Sequence, residues 1–157
     1  MSFFNFLGRL FFAFLFISAG LQKMQTFDHV NGGPLVVEVV EPSLKRSLAE
    51  LSSTIQYPLD FGKVKPYVPV MFATSCGLEI VGGVLFLVGS RAGALMLMLF
   101  LLTVTPVMHN FWEPGLEDEQ QRGQMVQFFK NCALFGALLF YTDMKTGASA
   151  VAKAKRD

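Results

Sequence analysis

One ionisable residue, Glu79, interrupts an otherwise uncharged and largely apolar run at residues 68–88. At about 1.5 Å of rise per residue, a helix of that length crosses a hydrocarbon core. A carboxylate at such a depth costs about 3 kcal/mol unless it is paired, protonated or hydrated. The stretch GLEIVGGVLFLVG (residues 77–89) also carries Gly82, Gly83 and Gly89. Glycines remove side-chain bulk and let neighbouring helices approach the backbone. Any fold of this chain must therefore fill a glycine groove and accommodate Glu79.

Composition agrees with lipid as the solvent. The chain has 157 residues, which suits a single domain, and 52% of them are hydrophobic, including 17 Phe. Charged residues make up only 16%, below the usual quarter. A soluble core of this size cannot hide so much apolar surface. A net charge of +1 argues against nucleic acid as a partner. Cys76 and Cys132 both fall inside expected spans, far from any C-x-x-C pattern, and read as small buried apolar residues. No Arg- and Ser-rich presequence pattern opens the chain. A signal peptide cleaved after Ser18-Ala19-Gly20 is the alternative reading of residues 1–20, although that segment has no basic residue before Arg9.

Four spans are expected, at about residues 3–21, 68–88, 92–110 and 124–142. The turn Gly89-Ser90-Arg91 is so short that the second and third spans must be antiparallel neighbours. The first span contains Asn5 and Arg9, and Gln22-Lys23 marks its polar edge, where a lysine can snorkel. Residues 24–66 form the long connection. In it NGGP (residues 31–34) predicts a turn and a helix start, and Pro42 interrupts a short helical turn at residues 35–41. Ser43 then caps a helix whose Leu44, Leu48, Leu51 and Ile55 share one face. This amphipathic helix lies either in the membrane interface or against its own bundle. Pro106 is expected to kink the third span, and Asn110-Phe111-Trp112 to anchor its end at the interface. An acidic loop at residues 113–122 and a frayed polar tail at 143–157 flank the fourth span.

Four spans place both termini on one side, with Arg9, Arg91, Lys145, Lys153, Lys155 and Arg156. The other side carries Lys23, Lys45, Arg46, Lys63, Lys65 and Arg122. The basic residues are nearly balanced, and the less mixed terminal side leans towards cytosol or matrix.

The polar groups within the spans are the candidate site. Arg9 lies roughly 9 Å into the first helix from the terminal side, and Glu79 roughly 15 Å into the second. Arginine's fork suits a carboxylate, so Arg9 is the first expected partner of Glu79 and Lys130 the second. The cluster Arg9, Glu79, His109, Gln127, Lys130 and Asn131 reads either as a polar cavity or as structural pairs that set helix order. His109 is expected to be a hydrogen-bonded interfacial residue, since a metal or haem would need more ligands than the chain offers. Gln127 and Asn131 continue a polar stripe with Gln120 and Gln124. Gly20, Gly82, Gly83 and Gly136 are the expected helix-packing positions. No catalytic residue, metal site or resident cofactor is expected, because no triad, phosphate loop or dinucleotide fingerprint is present.

Five stretches carry a resemblance: FLGRLFFAFLFISAG (6–20), NGGP (31–34), GGVLFLVGS (82–90), TVTPVMHNFW (103–112) and FFKNCALFGALLF (128–140). In this order they resemble the HR-like lesion-inducing protein family, within the DoxX-like superfamily. The resemblance implies an all-α membrane protein, an antiparallel four-transmembrane-helix bundle with an amphipathic helical loop between its first two helices. Its motif positions are Gly8-Arg9, Gly82-Gly83 and Lys130-Asn131. Some relatives are described as quinol-oxidase or thiosulfate:quinone oxidoreductase subunits; the lesion-inducing name records a cell-death association.

Two functions are therefore expected. The first is a non-catalytic, multi-pass accessory or assembly subunit of a larger membrane complex, whose partners are the bilayer and other membrane-protein subunits. The second is a quinone-linked redox subunit using Arg9, Glu79, His109 and Lys130 around an intramembrane pocket. An organelle membrane, mitochondrial inner membrane or endoplasmic reticulum, is the expected location.

Overall fold

The structure is a computed structural model that describes the backbone of residues 3–113 and 115–154 and the side chains of 3–113 and 115–144. All of its regular elements are helical. In order they are α1 (Phe3–Met24), a π-helical turn (Val36–Val40), α2 (Glu41–Ile55), α3 (Phe61–Val64), a 3₁₀ turn (Lys65–Tyr67), α4 (Val68–Leu87), α5 (Arg91–Met108) and α6 (Asp118–Ala154). Among the described residues, three helical segments are long and apolar enough to cross a membrane: Phe3–Met24, Phe61–Leu87 and Arg91–Met108. The expected fourth span, 124–142, lies inside the 37-residue α6 but is not one of those three. Gln127, Lys130 and Asn131 dilute its apolar stretch.

Both ends of α6 differ from expectation. The acidic loop shortens because α6 starts at Asp118, and Asp118 and Glu119 favour the positive end of the helix dipole. The tail continues as helix to Ala154 instead of fraying at 143. The side chains of Lys145, Lys153, Lys155 and Arg156, which entered the orientation argument, lie outside the described residues.

The long helices pack in chain order, α1 on α4, α4 on α5 and α5 on α6. The glycines explain how α4 serves two neighbours at once. Successive helical residues are about 100° apart, so Gly82 and Gly83 open two different faces. A Cβ on Gly82 would sit 3.1 Å from Leu97 and Met96 of α5, whereas one on Gly83 would sit 2.7 Å from Ile17 of α1. Gly20 mirrors this from α1, where a Cβ would meet Ile80 at 2.7 Å. Gly93 makes the tightest approach, since a Cβ there would overlap the α4 backbone at Phe86 N. Gly136 is a correction to the packing set: a Cβ there meets nothing within 4 Å.

Around these contacts Ala13, Phe16, Phe86, Leu97, Phe100 and Leu138 form the main core. Phe12 meets Phe86 at 5.1 Å, and Phe86 meets Tyr141 at 4.8 Å, joining α1, α4 and α6 through aromatic faces. Cys76 is buried as expected, but Cys132 is exposed on α6.

A second core forms where the long connection folds back onto the start of α4. Val36, Val68, Phe72 and Cys76 are buried there, with Phe27, Leu35, Val40 and Leu44 against them. Gly33 permits the return, with φ at +84° and a Cβ position that would overlap Thr26 O. Pro42 does not interrupt the chain here. It occupies the first turn of α2, where a missing N–H is tolerated, and the wider π turn runs directly into it. Val40, not Ser43, is the N-cap residue. The apolar face of α2 divides in two: Leu44 and Leu48 are half-buried, and Leu51 and Ile55 are exposed.

Candidate functional site

Glu79 is only 3% exposed, and its partner is Lys23. The ammonium donates to Oε2 at 2.7 Å and to Oε1 at 3.0 Å. Helical geometry brings them together. Side chains lean towards the N-terminus of their own helix, and α1 and α4 run antiparallel. Lys23, in the last turn of α1, leans back to the level of Gly20, and Glu79 leans from α4 to meet it. Lys23 therefore turns inward instead of snorkelling to the interface, and it also lies 5.0 Å from the centroid of the Phe100 ring.

The Arg9–Glu79 and Lys130–Glu79 pairings are thereby corrected. Phe12 packs on Phe86, and Gly20 packs beside Glu79. Arg9 is eleven residues from Gly20, roughly 16 Å of helix rise. Arg9 and Glu79 would come level only if both helices started flush at one membrane surface. In the structure α1 overhangs the α4–α5 turn and carries Arg9 past Glu79. Arg9 is buried near the opposite end, and its Nε donates to Asn5 O at 3.4 Å.

The remaining polar residues serve separate contacts. His109 Nδ1 and Gln124 Oε1 lie 2.9 Å apart, linking the end of α5 to α6. Asn131 Nδ2 donates to the buried Thr105 Oγ1 at 3.1 Å, which ties α6 to α5 again. Gln127 and Lys130 are exposed on α6. Arg9 lies beside Asn5, Glu79 on Lys23 and Lys130 faces outward, so Arg9, Glu79, His109 and Lys130 are not gathered in one place. Among the same residues, no group of three His, Cys, Asp or Glu side chains is placed to hold a metal ion.

What the fold does assemble is an apolar chamber of about 240 Å³ beside Lys23. Val68 and Phe72 of α4 and Val104 and Met108 of α5 form its walls, and Leu35, Val40 and Leu44 cover it from the connection. Ser75 and Thr103 add hydroxyls. Both hydroxyls donate to backbone carbonyls of their own helices, Ser75 to Phe72 O and Thr103 to Leu99 O, so they face the chamber as acceptors.

A polar clamp holds the covering helix α2 in place. Glu50 accepts from Asn110 Nδ2 and from Trp112 Nε1, each at 2.8 Å. Arg46 pairs with Glu113 at 3.2 Å, and Lys65 with Glu41 at 3.3 Å. The indole expected to anchor at the interface is thus bonded to α2, while its ring packs on Phe111 and Phe128. Lys23, Glu50 and the chamber escaped the sequence reading because each depends on which residues of distant segments meet. Only the lean of Lys23 was inferable, given a first helix that continues to Met24.

No curated protein and no solved structure matches the chain. The family model described as HR-like lesion-inducing matches residues 1–144. That match takes in all five stretches of the resemblance, the Lys23–Glu79 pair and the whole chamber, and the chain belongs to the HR-like lesion-inducing family.

Proposed function

We propose that this protein is a non-catalytic integral membrane subunit that crosses the bilayer four times and docks through α6 onto another membrane protein. The observation that carries this reading is the outward placement of Gln127 and Lys130 on α6. Lys130 stands six residues inside the 124–142 segment, roughly 9 Å from its edge. No described carboxylate pairs with it. An ammonium facing lipid is unfavourable, and a facing carboxylate or carbonyl from a partner helix relieves that cost. Six residues further along α6 and about 120° round from Lys130, Gly136 leaves the helix surface open, and on a separate face a groove of about 340 Å³ between α5 and α6 is lined by Trp112, Phe128 and Cys132.

The test is native-size fractionation of gently solubilised membranes, with the tagged protein at its normal level. Co-migration with a larger assembly is expected, and Lys130→Glu is expected to abolish it without lowering the thermal stability of the purified protein. Migration of the unsubstituted protein only as a small particle would refute the proposal. The same fractions assign the membrane, for which the mitochondrial inner membrane and the endoplasmic reticulum are the two expectations.

A further inference from the structure

We infer that the chamber beside Lys23 is a binding site for an uncharged lipid with a hydroxyl head. This goes beyond the docking role of α6 and is independent of it, because no α6 residue lines the chamber. Size is the first argument. Apolar cavities of about 150 Å³ already stay dry and take up benzene, and this one measures about 240 Å³. Its apolar walls exclude a charged or strongly hydrated occupant.

The polar groups at its edge select the head. An ammonium has three donors. The Glu79 carboxylate engages Lys23 through both oxygens, and no other described residue accepts from the ammonium. One donor remains, on a side chain that is 32% exposed and lines the chamber. The pair is neutral as a whole, so it does not call for an anion. As bonded here, Ser75 and Thr103 direct their own protons to backbone carbonyls and present lone pairs to a ligand. The available set is therefore one donor and two acceptors. A hydroxyl satisfies both kinds, because it accepts from Lys23 while donating to Ser75 or Thr103. A carboxylate or an ether cannot donate, and an ammonium cannot accept.

The route of entry follows from exposure. Met71 and Thr103 border the chamber and are exposed on helices α4 and α5, so the mouth opens sideways towards lipid. The cover formed by Leu35, Val40 and Leu44 closes the other side.

The experiment uses the purified full chain in phosphatidylcholine nanodiscs and a long-chain fatty alcohol carrying a photoactivatable diazirine in its chain. Labelled positions are mapped by mass spectrometry. Labelling is expected to concentrate in residues 35–44, 68–75 and 103–108. Unlabelled alcohol should displace the probe about tenfold better than the matching fatty acid or methyl ether, the ratio expected for one good hydrogen bond. Val104→Trp, which fills the chamber, should reduce labelling there by about fivefold or more with the melting temperature held. If that variant fails to fold, Leu44→Phe fills the same space from the cover. The pair-neutralising Lys23→Met/Glu79→Gln variant should keep labelling but lose the preference for the alcohol. The inference is overturned by labelling as heavy at the lipid-facing Phe11 and Phe14, by labelling indifferent to a folded chamber-filling variant, or by fatty acid competing as well as alcohol.

Discussion

Lys23 and Glu79 show how much a single pair can demand of its surroundings. Removing one member leaves the other charge buried without compensation, a change that costs about 3 kcal/mol or more. Lys23→Met is therefore expected to lower the thermal stability of the purified protein strongly, and Lys23→Met/Glu79→Gln to recover most of the loss. Equal stability of the single and double variants would show that the pair is not coupled. The glycines give a second contrast. Gly93→Ala forces a methyl group into the α4 backbone and is expected to cost about 2 kcal/mol or more. Gly136→Ala meets open space and should be neutral, or stabilising by up to about 1 kcal/mol through helix propensity. Unfolding both variants in the same detergent checks the difference. The small-residue pattern made Gly20, Gly82 and Gly83 legible as packing positions. It could not separate Gly93 from Gly136, because a glycine is visible in sequence whether or not a neighbour approaches it.

Among the elements, α2 is the one whose position depends on polar contacts. None of its residues is fully buried. The Glu50 bonds to Asn110 and Trp112 therefore hold it where packing alone is weak. Glu50→Ala should accelerate amide exchange across residues 41–55 by about tenfold, while exchange in α4 and α5 stays unchanged. Unchanged exchange in α2 would assign its position to Leu44 and Leu48 alone. The amphipathic pattern identified this helix and its apolar face. The first half packs against its own bundle over the chamber, while Leu51 and Ile55 remain exposed.

At the scale of the whole molecule, three apolar helices and one long, more polar α6 leave a sharp topological question. Four crossings put both termini on the same side of the membrane, and three put them on opposite sides. Protease-accessible tags at each end are expected to be cleaved from the same side, in keeping with the proposed fourth span. Cleavage from opposite sides would leave α6 at the surface and remove the depth argument for Lys130. The local physics of apolar runs, prolines and the Gly89 turn was enough for the sequence by itself to determine the helices α1, α4 and α5, the antiparallel pairing of α4 with α5 and the family resemblance. Those features depend on neighbours in the chain. The partner of Glu79, the helix each glycine faces and the existence of the chamber were decided only by the tertiary structure. Each depends on the axial offset between α1 and α4 and on the docking of the 24–66 connection. An offset of a few turns leaves every local preference satisfied while exchanging Arg9 for Lys23 beside the carboxylate.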